Sequence, residues 1–144
     1  MGRGNYQFFA PEMNAAAGAR LEQALRRALE KGEFELHYQP KVLVSTGQVH
    51  AMEALLRWRS PERGLVPPND FIPVCEEIGL IIPLGAWVLR EACRQNRAWQ
   101  QAGLPPLRVA VNLSAYQFGR RTCPSSWPAC WRKRAWPRPA WSSK

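Results

Sequence analysis

Residues 119–144 contain no aspartate or glutamate. The same segment holds seven of the chain's 20 lysines and arginines, although the whole chain carries a net charge of +9. Residues 1–118 hold thirteen basic and eleven acidic side chains, a net charge of only +2. The basic character therefore belongs to the C-terminal segment, and residues 1–118 have the charge balance of an ordinary globular domain.

The sequence also lacks long apolar runs and paired cysteines. Its longest apolar run, residues 79–89, contains Pro83, whereas a membrane span takes about 20 residues. The N-terminus has no signal-peptide pattern, so we expect a cytoplasmic chain without a membrane segment. The four cysteines form no CxxC pair, which argues against a zinc site or a disulfide framework. Cys75 and Cys93 fall in apolar helical segments, where cysteine is usually a small core residue.

Hydrophobic periodicity predicts that the first half of the body is a helix followed by a β-hairpin. Leucines and alanines at helical spacing predict a helix over residues 14–31, which Gly32 ends. Alternating apolar and polar residues predict strands over 34–44 and 49–58, joined by a turn at 45–48. Strands separated by so short a turn are expected to pair in an antiparallel hairpin.

The second half of the body is predicted to contain two helices and a strand. Three prolines make residues 60–68 a loop, and Asn69 is the predicted N-cap of a short helix. A longer helix is predicted over 83–102. Residues 107–113 are apolar at nearly every position, which predicts a parallel strand covered on both faces. Asn112 falls at its C-terminal end, where α/β barrels place their chemistry.

The predicted strand at residues 49–58 carries an acid and a base on one face. Side chains alternate along a strand, so Glu53 and Arg57 share a face with Leu55, while the opposite face is wholly apolar. Burial of this pair would indicate a functional site. A solvated ion pair at a strand edge is the alternative, and the strand alone leaves both interpretations open.

Five short sequence blocks follow one another along the body of the chain. The blocks are Tyr-Gln-Pro-Lys at 38–41, Glu-Ala-Leu-Leu-Arg-Trp at 53–58, Gly-Leu-Val-Pro-Pro at 64–68, Phe-Ile-Pro at 71–73 and Val-Asn-Leu-Ser at 111–114. Together they resemble the EAL-type cyclic-di-GMP phosphodiesterase domain, which is named for its Glu-Ala-Leu triplet. A lone triplet would carry little weight, but five blocks in this order and spacing are specific. The similarity covers about residues 20–118, and we assign residues 15–118 to the N-terminal part of such a domain.

The resemblance implies an α/β fold, the N-terminal portion of a modified (β/α)8 barrel with an antiparallel first strand. It implies hydrolysis of cyclic-di-GMP to the linear dinucleotide with Mg²⁺ or Mn²⁺. By resemblance, Glu53 and Asn112 are metal ligands, and Gln39 and Arg57 contact the dinucleotide, with Arg57 near a phosphate. Oxygen donors suit hard divalent cations, and a guanidinium suits a phosphodiester.

The chain departs from the family where further acidic metal ligands and the general base are expected. That region is replaced here by residues 119–144, which have no carboxylate. Only about three of eight strands are predicted, and a complete barrel takes about 250 residues. We therefore expect this truncated chain to be inactive and not to hold Mg²⁺ or Mn²⁺ stably. Unpaired strand edges also predict self-association.

Two further assignments concern the ends of the chain. The sequence Gly-Arg-Gly-Asn-Tyr-Gln-Phe-Phe at 2–9, with a predicted strand at 6–9, resembles the last strand of a GGDEF-type diguanylate cyclase domain. We assign residues 1–14 to a remnant of such a domain and a linker, which implies a tandem GGDEF–EAL parent. Residues 119–144 hold four tryptophans and four prolines without helical or strand periodicity. We interpret them as a frameshifted, disordered tail, because CTG followed by G reads as TGG, tryptophan, one base later.

Two alternative functions stay open. The first is a non-enzymatic domain that binds cyclic-di-GMP or a partner protein. The second, less favoured, is a basic protein that binds nucleic acid through residues 119–144, for which salt-dependent binding would be diagnostic.

The frameshift interpretation predicts that another reading frame of the gene encodes the missing barrel. Translation past the codon for Phe118 in the other two frames should give an acidic, leucine-rich continuation in one of them. Stop codons scattered through both frames would contradict the interpretation.

Overall fold

A computed structural model describes residues 11–117, and all structural statements below refer to that range. The chain forms one helix, then three strands, two helices and a fourth strand, and short 3₁₀ turns lie at Pro68–Asp70 and Ala115–Gln117. The helices are α1 (Pro11–Lys31), α2 (Ile72–Glu77) and α3 (Ile81–Gln101). The strands are β1 (Phe34–Val42), β2 (Val49–Ser60), β3 (Gly64–Val66) and β4 (Arg108–Val111).

Strand β2 is the centre of the sheet. β1 pairs with it in antiparallel orientation from Phe34 opposite Trp58 to Val42 opposite Val49, so the predicted hairpin is confirmed. The other edge of β2 is shared by two strands: β4 pairs in parallel with residues 51–54, and β3 pairs in antiparallel orientation with residues 58–60. The predicted direction of β4 is therefore also confirmed.

One face of the sheet packs on the helices through an aromatic cluster. Trp58 is only 1% exposed, and its ring centroid lies 6.4 Å from that of Phe34 and 6.0 Å from that of Phe71. The Trp58 indole N–H donates a hydrogen bond to Glu33, which satisfies its polar atom. Leu25 and Ala28 of α1 complete this side, so the predicted apolar stripe of the helix is confirmed.

The helices begin and end close to their predicted limits. Gly32 and Gly103, which follow α1 and α3, have φ angles of 69° and 87°, a conformation that suits glycine at a helix end. Pro83 lies in the first turn of α3, where its missing N–H costs no intrahelical bond. Helix α1 begins at Pro11, so it includes residues assigned above to a linker. The strand proposed at residues 6–9 lies outside the described range.

Two predictions for residues 60–70 are wrong in detail. The proline-containing segment is not entirely a loop, because Gly64–Val66 forms β3 against the end of β2. Asn69 is not a helix N-cap, because it lies within the 3₁₀ turn. Phe71 occupies the cap position of α2 without a side-chain hydrogen bond, and its ring is fully buried. Burial of this ring, rather than capping chemistry, decides where α2 begins.

Strand β4 is less covered than its sequence predicts. It has four residues rather than seven, and Val109, Ala110 and Val111 are only half-buried. The prediction of cover on both faces is therefore wrong for the described residues. Cys75 is buried, as predicted, whereas Cys93 is half-buried.

Several large apolar side chains are exposed, and three of them, Val42, Leu43 and Val44, lie together at the end of the hairpin. Clustered exposed apolar residues favour association, so self-association stays a prediction. None of the helices between residues 11 and 117 is long and apolar enough to cross a bilayer.

Replacement of Phe71 by alanine is expected to lower the free energy of unfolding by about 3–5 kcal/mol, because it leaves a cavity beside Phe34 and Trp58. Leu65→Ala is the control, since Leu65 is half-exposed on β3 and should cost no more than about 1 kcal/mol. Urea denaturation of both variants measures the difference. Equal midpoints would show that the aromatic cluster does not hold the fold together.

Candidate functional site

The polar residues singled out in the sequence lie on one face of the sheet, opposite the aromatic cluster. Gln39 of β1 is directly across from Glu53 of β2, and directly paired residues share a face. Lys41 and Arg57 lie two and four residues along their strands from this pair, so they share the same face. Glu53 is also in register with Ala110 of β4, two residues before Asn112.

The structure brings Glu53 and Asn112 into contact. The Asn112 side-chain amide donates to Glu53 Oε1 at 2.9 Å, across 59 residues of sequence. Parallel pairing of β2 with β4 makes this possible, because it carries the end of β4 past Glu53 on the same face. The two predicted metal ligands are therefore neighbours, although the sequence separates them widely.

Lys41 is the second partner of Glu53 and was missed in the sequence. Its Nζ lies 2.9 Å from Glu53 Oε2, so each carboxylate oxygen has one partner. The alternative interpretation, a solvated ion pair between Glu53 and Arg57, is wrong, because the cation that pairs with Glu53 is Lys41. Residues four apart along a strand are separated by about 13 Å, whereas Lys41 lies diagonally across the hairpin, within reach of a long side chain.

These contacts set the protonation of Glu53. The Lys41 ammonium, and after it the Asn112 amide, lowers the pKa of the Glu53 carboxyl below its ordinary value of 4.5. Partial burial acts in the opposite direction with less effect, since the Glu53 side chain remains 26% exposed. Glu53 is therefore an ionised oxygen donor at neutral pH.

Gln39 and Arg57 share the face of this centre without joining its hydrogen bonds, and Arg57 lies about 13 Å along β2 from Glu53. Arg57 is half-buried, and its Nη1 donates to the Leu56 carbonyl at 2.8 Å. Gln39 is exposed, directly across from Glu53. Both side chains carry hydrogen-bond donors on the polar face, as contacts with a phosphodiester or a base would require.

A second charged group on the same face was also missed. Arg59 donates two hydrogen bonds to the Glu35 carboxylate, at 3.0 and 2.8 Å, and His37 Nε2 lies 2.8 Å from the same carboxylate. Arg59, followed by His37, lowers the Glu35 pKa. Alternation along β1 and β2 could have located this group once the hairpin register was known.

The donor set fits part of a divalent-cation site. Glu53 supplies carboxylate oxygens and Asn112 an amide oxygen, the ligand types that Mg²⁺ and Mn²⁺ prefer. Residues 11–117 contain no group of three or more His, Cys, Asp or Glu side chains that could hold a metal ion. The Glu53 carboxylate instead forms an ion pair with the Lys41 ammonium. Glu53 and Asn112 are thus suited to be two ligands of a larger set.

The family of the chain follows from its sequence and from this arrangement of the Glu-Ala-Leu strand. A sequence model of the EAL domain matches residues 22–140, beyond the last described residue. This chain belongs to the EAL domain family. The family prediction is confirmed, although the matched range does not test the assignment of the residues that precede it.

Relatives of this EAL-domain chain include two curated proteins, each 50% identical to it in the matched region. It is 50% identical over 119 residues to the bifunctional diguanylate cyclase/cyclic di-GMP phosphodiesterase MucR of Pseudomonas aeruginosa, covering 81% of this chain and 17% of that protein. It is 50% identical over 123 residues to the cyclic di-GMP phosphodiesterase PdeR of Escherichia coli, covering 84% and 18%. The chain therefore spans less than a fifth of either protein.

A solved structure, the PaMucR phosphodiesterase in complex with c-di-GMP, is also similar. It matches with a TM-score of 0.70 and 48% identity, covering 74% of this chain and 43% of that one. The predicted fold class, the α/β fold of the EAL domain, is confirmed by this likeness, which covers 43% of the solved chain.

Lys41→Met is expected to raise the Glu53 pKa toward 4.5, and by more than Asn112→Ala, because Lys41 is the larger cause of the shift. The Glu53 pKa is depressed in the folded state, so these contacts stabilise the fold above the unfolded pKa. This stabilisation is lost as the pH falls below about 4.5 and through the folded pKa.

Carboxyl ¹³C NMR titration, with Glu53 assigned through Glu53→Gln, measures this shift. Lys31→Met is the control, since Lys31 lies in the last turn of α1. An unchanged Glu53 pKa in Lys41→Met would contradict the electrostatic assignment.

Proposed function

We infer that this chain is the N-terminal part of an EAL domain whose complete form hydrolyses cyclic-di-GMP to the linear dinucleotide. The observation that carries this inference is the contact between Glu53 and Asn112 on the polar face, with Gln39 and Arg57 on the same face. The names of both curated relatives include cyclic di-GMP phosphodiesterase, which supports the same substrate.

Each side chain has a role that its chemistry suits. Glu53 and Asn112 would hold one side of a Mg²⁺ or Mn²⁺ ion, which when bound supplies Lewis acidity and an activated water. Arg57 would contact a phosphate of the dinucleotide. The exposed Gln39 amide would orient the dinucleotide. Lys41 Nζ lies 2.9 Å from Glu53 Oε2, so its ammonium would lie close to a cation held by Glu53.

This chain alone is proposed to be inactive. Mg²⁺ keeps several waters as ligands, but the resemblance implies further acidic ligands and a general base beyond Glu53 and Asn112. Residues 119–144 contain no carboxylate that could add to them. We propose from its composition that this segment is a frameshifted tail, although the EAL sequence model matches it as far as residue 140; the segment lies outside the described residues.

The relation to a tandem parent is a separate proposal. MucR is named as a bifunctional diguanylate cyclase and phosphodiesterase, which supports a parent with GGDEF and EAL domains. The residues assigned to the GGDEF remnant precede the matched EAL range. We also propose, from the sequence, that the chain is cytoplasmic and that it self-associates.

Binding of cyclic-di-GMP without hydrolysis is a second candidate function. Among residues 11–117, the Arg57 guanidinium takes part in no ion pair, and Gln39 is exposed on the same face, so neither needs a metal to contact a nucleotide. Nucleic-acid binding through residues 119–144 stays a less favoured alternative, since those residues lie outside the described range.

Purified chain incubated with cyclic-di-GMP and Mg²⁺ or Mn²⁺ is expected to form no linear dinucleotide above the protein-free blank. Chromatographic product analysis measures this, and calorimetric titration of the same protein tests binding. Turnover that Glu53→Ala abolishes would contradict the proposed inactivity. Binding that Arg57→Met weakens, without turnover, would favour the second candidate function.

A further inference from the structure

Asn112 contacts Glu53 although it lies outside regular secondary structure. β4 ends at Val111, and Asn112 follows it without regular secondary structure and exposed to solvent. Its amide nevertheless meets Glu53 at 2.9 Å. Pairing of β4 with β2 fixes the chain before Asn112, so a second anchor is needed after it.

That anchor is at Ser114. The Ser114 backbone N–H donates to Gln117 Oε1 at 2.8 Å, and its carbonyl accepts from the Gln117 N–H at 3.0 Å. Its hydroxyl donates to the Glu76 carboxylate of α2 and accepts from the Tyr116 N–H at 3.2 Å. Backbone and side chain of Ser114 are therefore both held, two residues beyond Asn112.

Gln117 is itself seated on α3. Its side chain is 5% exposed, although glutamine is a residue type that is mostly exposed. It lies over Gly85, where an added Cβ would come within 1.7 Å of Gln117 Nε2 and 2.8 Å of its Cδ. Only glycine leaves room for this carboxamide. The displaced atoms would belong to the end of a flexible side chain, so a methyl group at Gly85 would unseat Gln117 without pushing backbone elements apart.

We propose that Gln117, seated over Gly85, is a positioning residue for Asn112. The seated carboxamide holds Ser114, Ser114 holds the segment after β4, and this segment presents the Asn112 amide to Glu53. The value of that placement for metal binding rests on the proposed function. The placement itself is a property of this chain and does not depend on a metal or a nucleotide.

The experiment observes the Asn112 side-chain NH₂ signals by NMR in the full chain labelled with ¹⁵N-asparagine. The chain has only five asparagines, and loss of one pair of signals in Asn112→Asp identifies the right pair. Glu53→Ala gives the reference position for Asn112 without its contact. Thermal denaturation of each variant reports stability separately.

Two substitutions with different chemistry test the anchor. Gln117→Met keeps the length of the side chain and removes the acceptor for Ser114, whereas Gly85→Ala leaves Gln117 intact and fills its seat. Both are expected to shift the Asn112 signals toward their position in Glu53→Ala, and the double variant no further than either alone. Gly18→Ala is the matched control, since an added Cβ there meets no atom within 4 Å.

A lower melting temperature with unshifted Asn112 signals in both variants would overturn the proposal, because Gln117 would then be merely structural. Unshifted signals in Glu53→Ala would also overturn it, since the contact would be absent. If Gln117→Met does not fold, Gly85→Ala decides alone. Absence of cyclic-di-GMP hydrolysis is the expected behaviour of this chain, and absence of binding would count against the second candidate function; neither outcome changes this result.

Discussion

Burial of Trp58 is the constraint on which the arrangement of this sheet depends. The indole is enclosed by Phe34 and Phe71 and donates to Glu33, so β2 can present only one face to the helices. Side chains alternate along a strand, and a shift of one residue would exchange its two faces. Once Trp58 points toward the helices, Glu53 must point to the opposite side. The core thus decides where the candidate site lies.

The site itself depends on charges that balance one another. Glu53 has an ammonium group on one carboxylate oxygen and an amide on the other, so its charge is satisfied without a metal ion. Glu35 is held in a similar way by Arg59 and His37. Both carboxylates of the polar face are therefore in ion pairs open to solvent, which add little stability.

Sequence patterns predicted elements best where a residue's role depends on its near neighbours. The stripe of α1, the hairpin and the direction of β4 follow from local spacing, and the structure confirms them. β3 was missed because three residues carry no period, and pairing with the end of β2 alone makes them a strand. The Asn69 cap failed because burial of Phe71 outweighs capping chemistry at that helix start.

By itself, the sequence determined the family, the polar face of the Glu-Ala-Leu strand and the two residue types suited to a divalent cation. Only the tertiary structure decided that Lys41, rather than Arg57, pairs with Glu53, because that choice depends on the register between two strands. It also decided that Gln117 lies over Gly85 of α3 and ties down Ser114. The physical reason is that alternation along a strand is a property of the local chain, whereas partners across strands and helices depend on how distant segments pack.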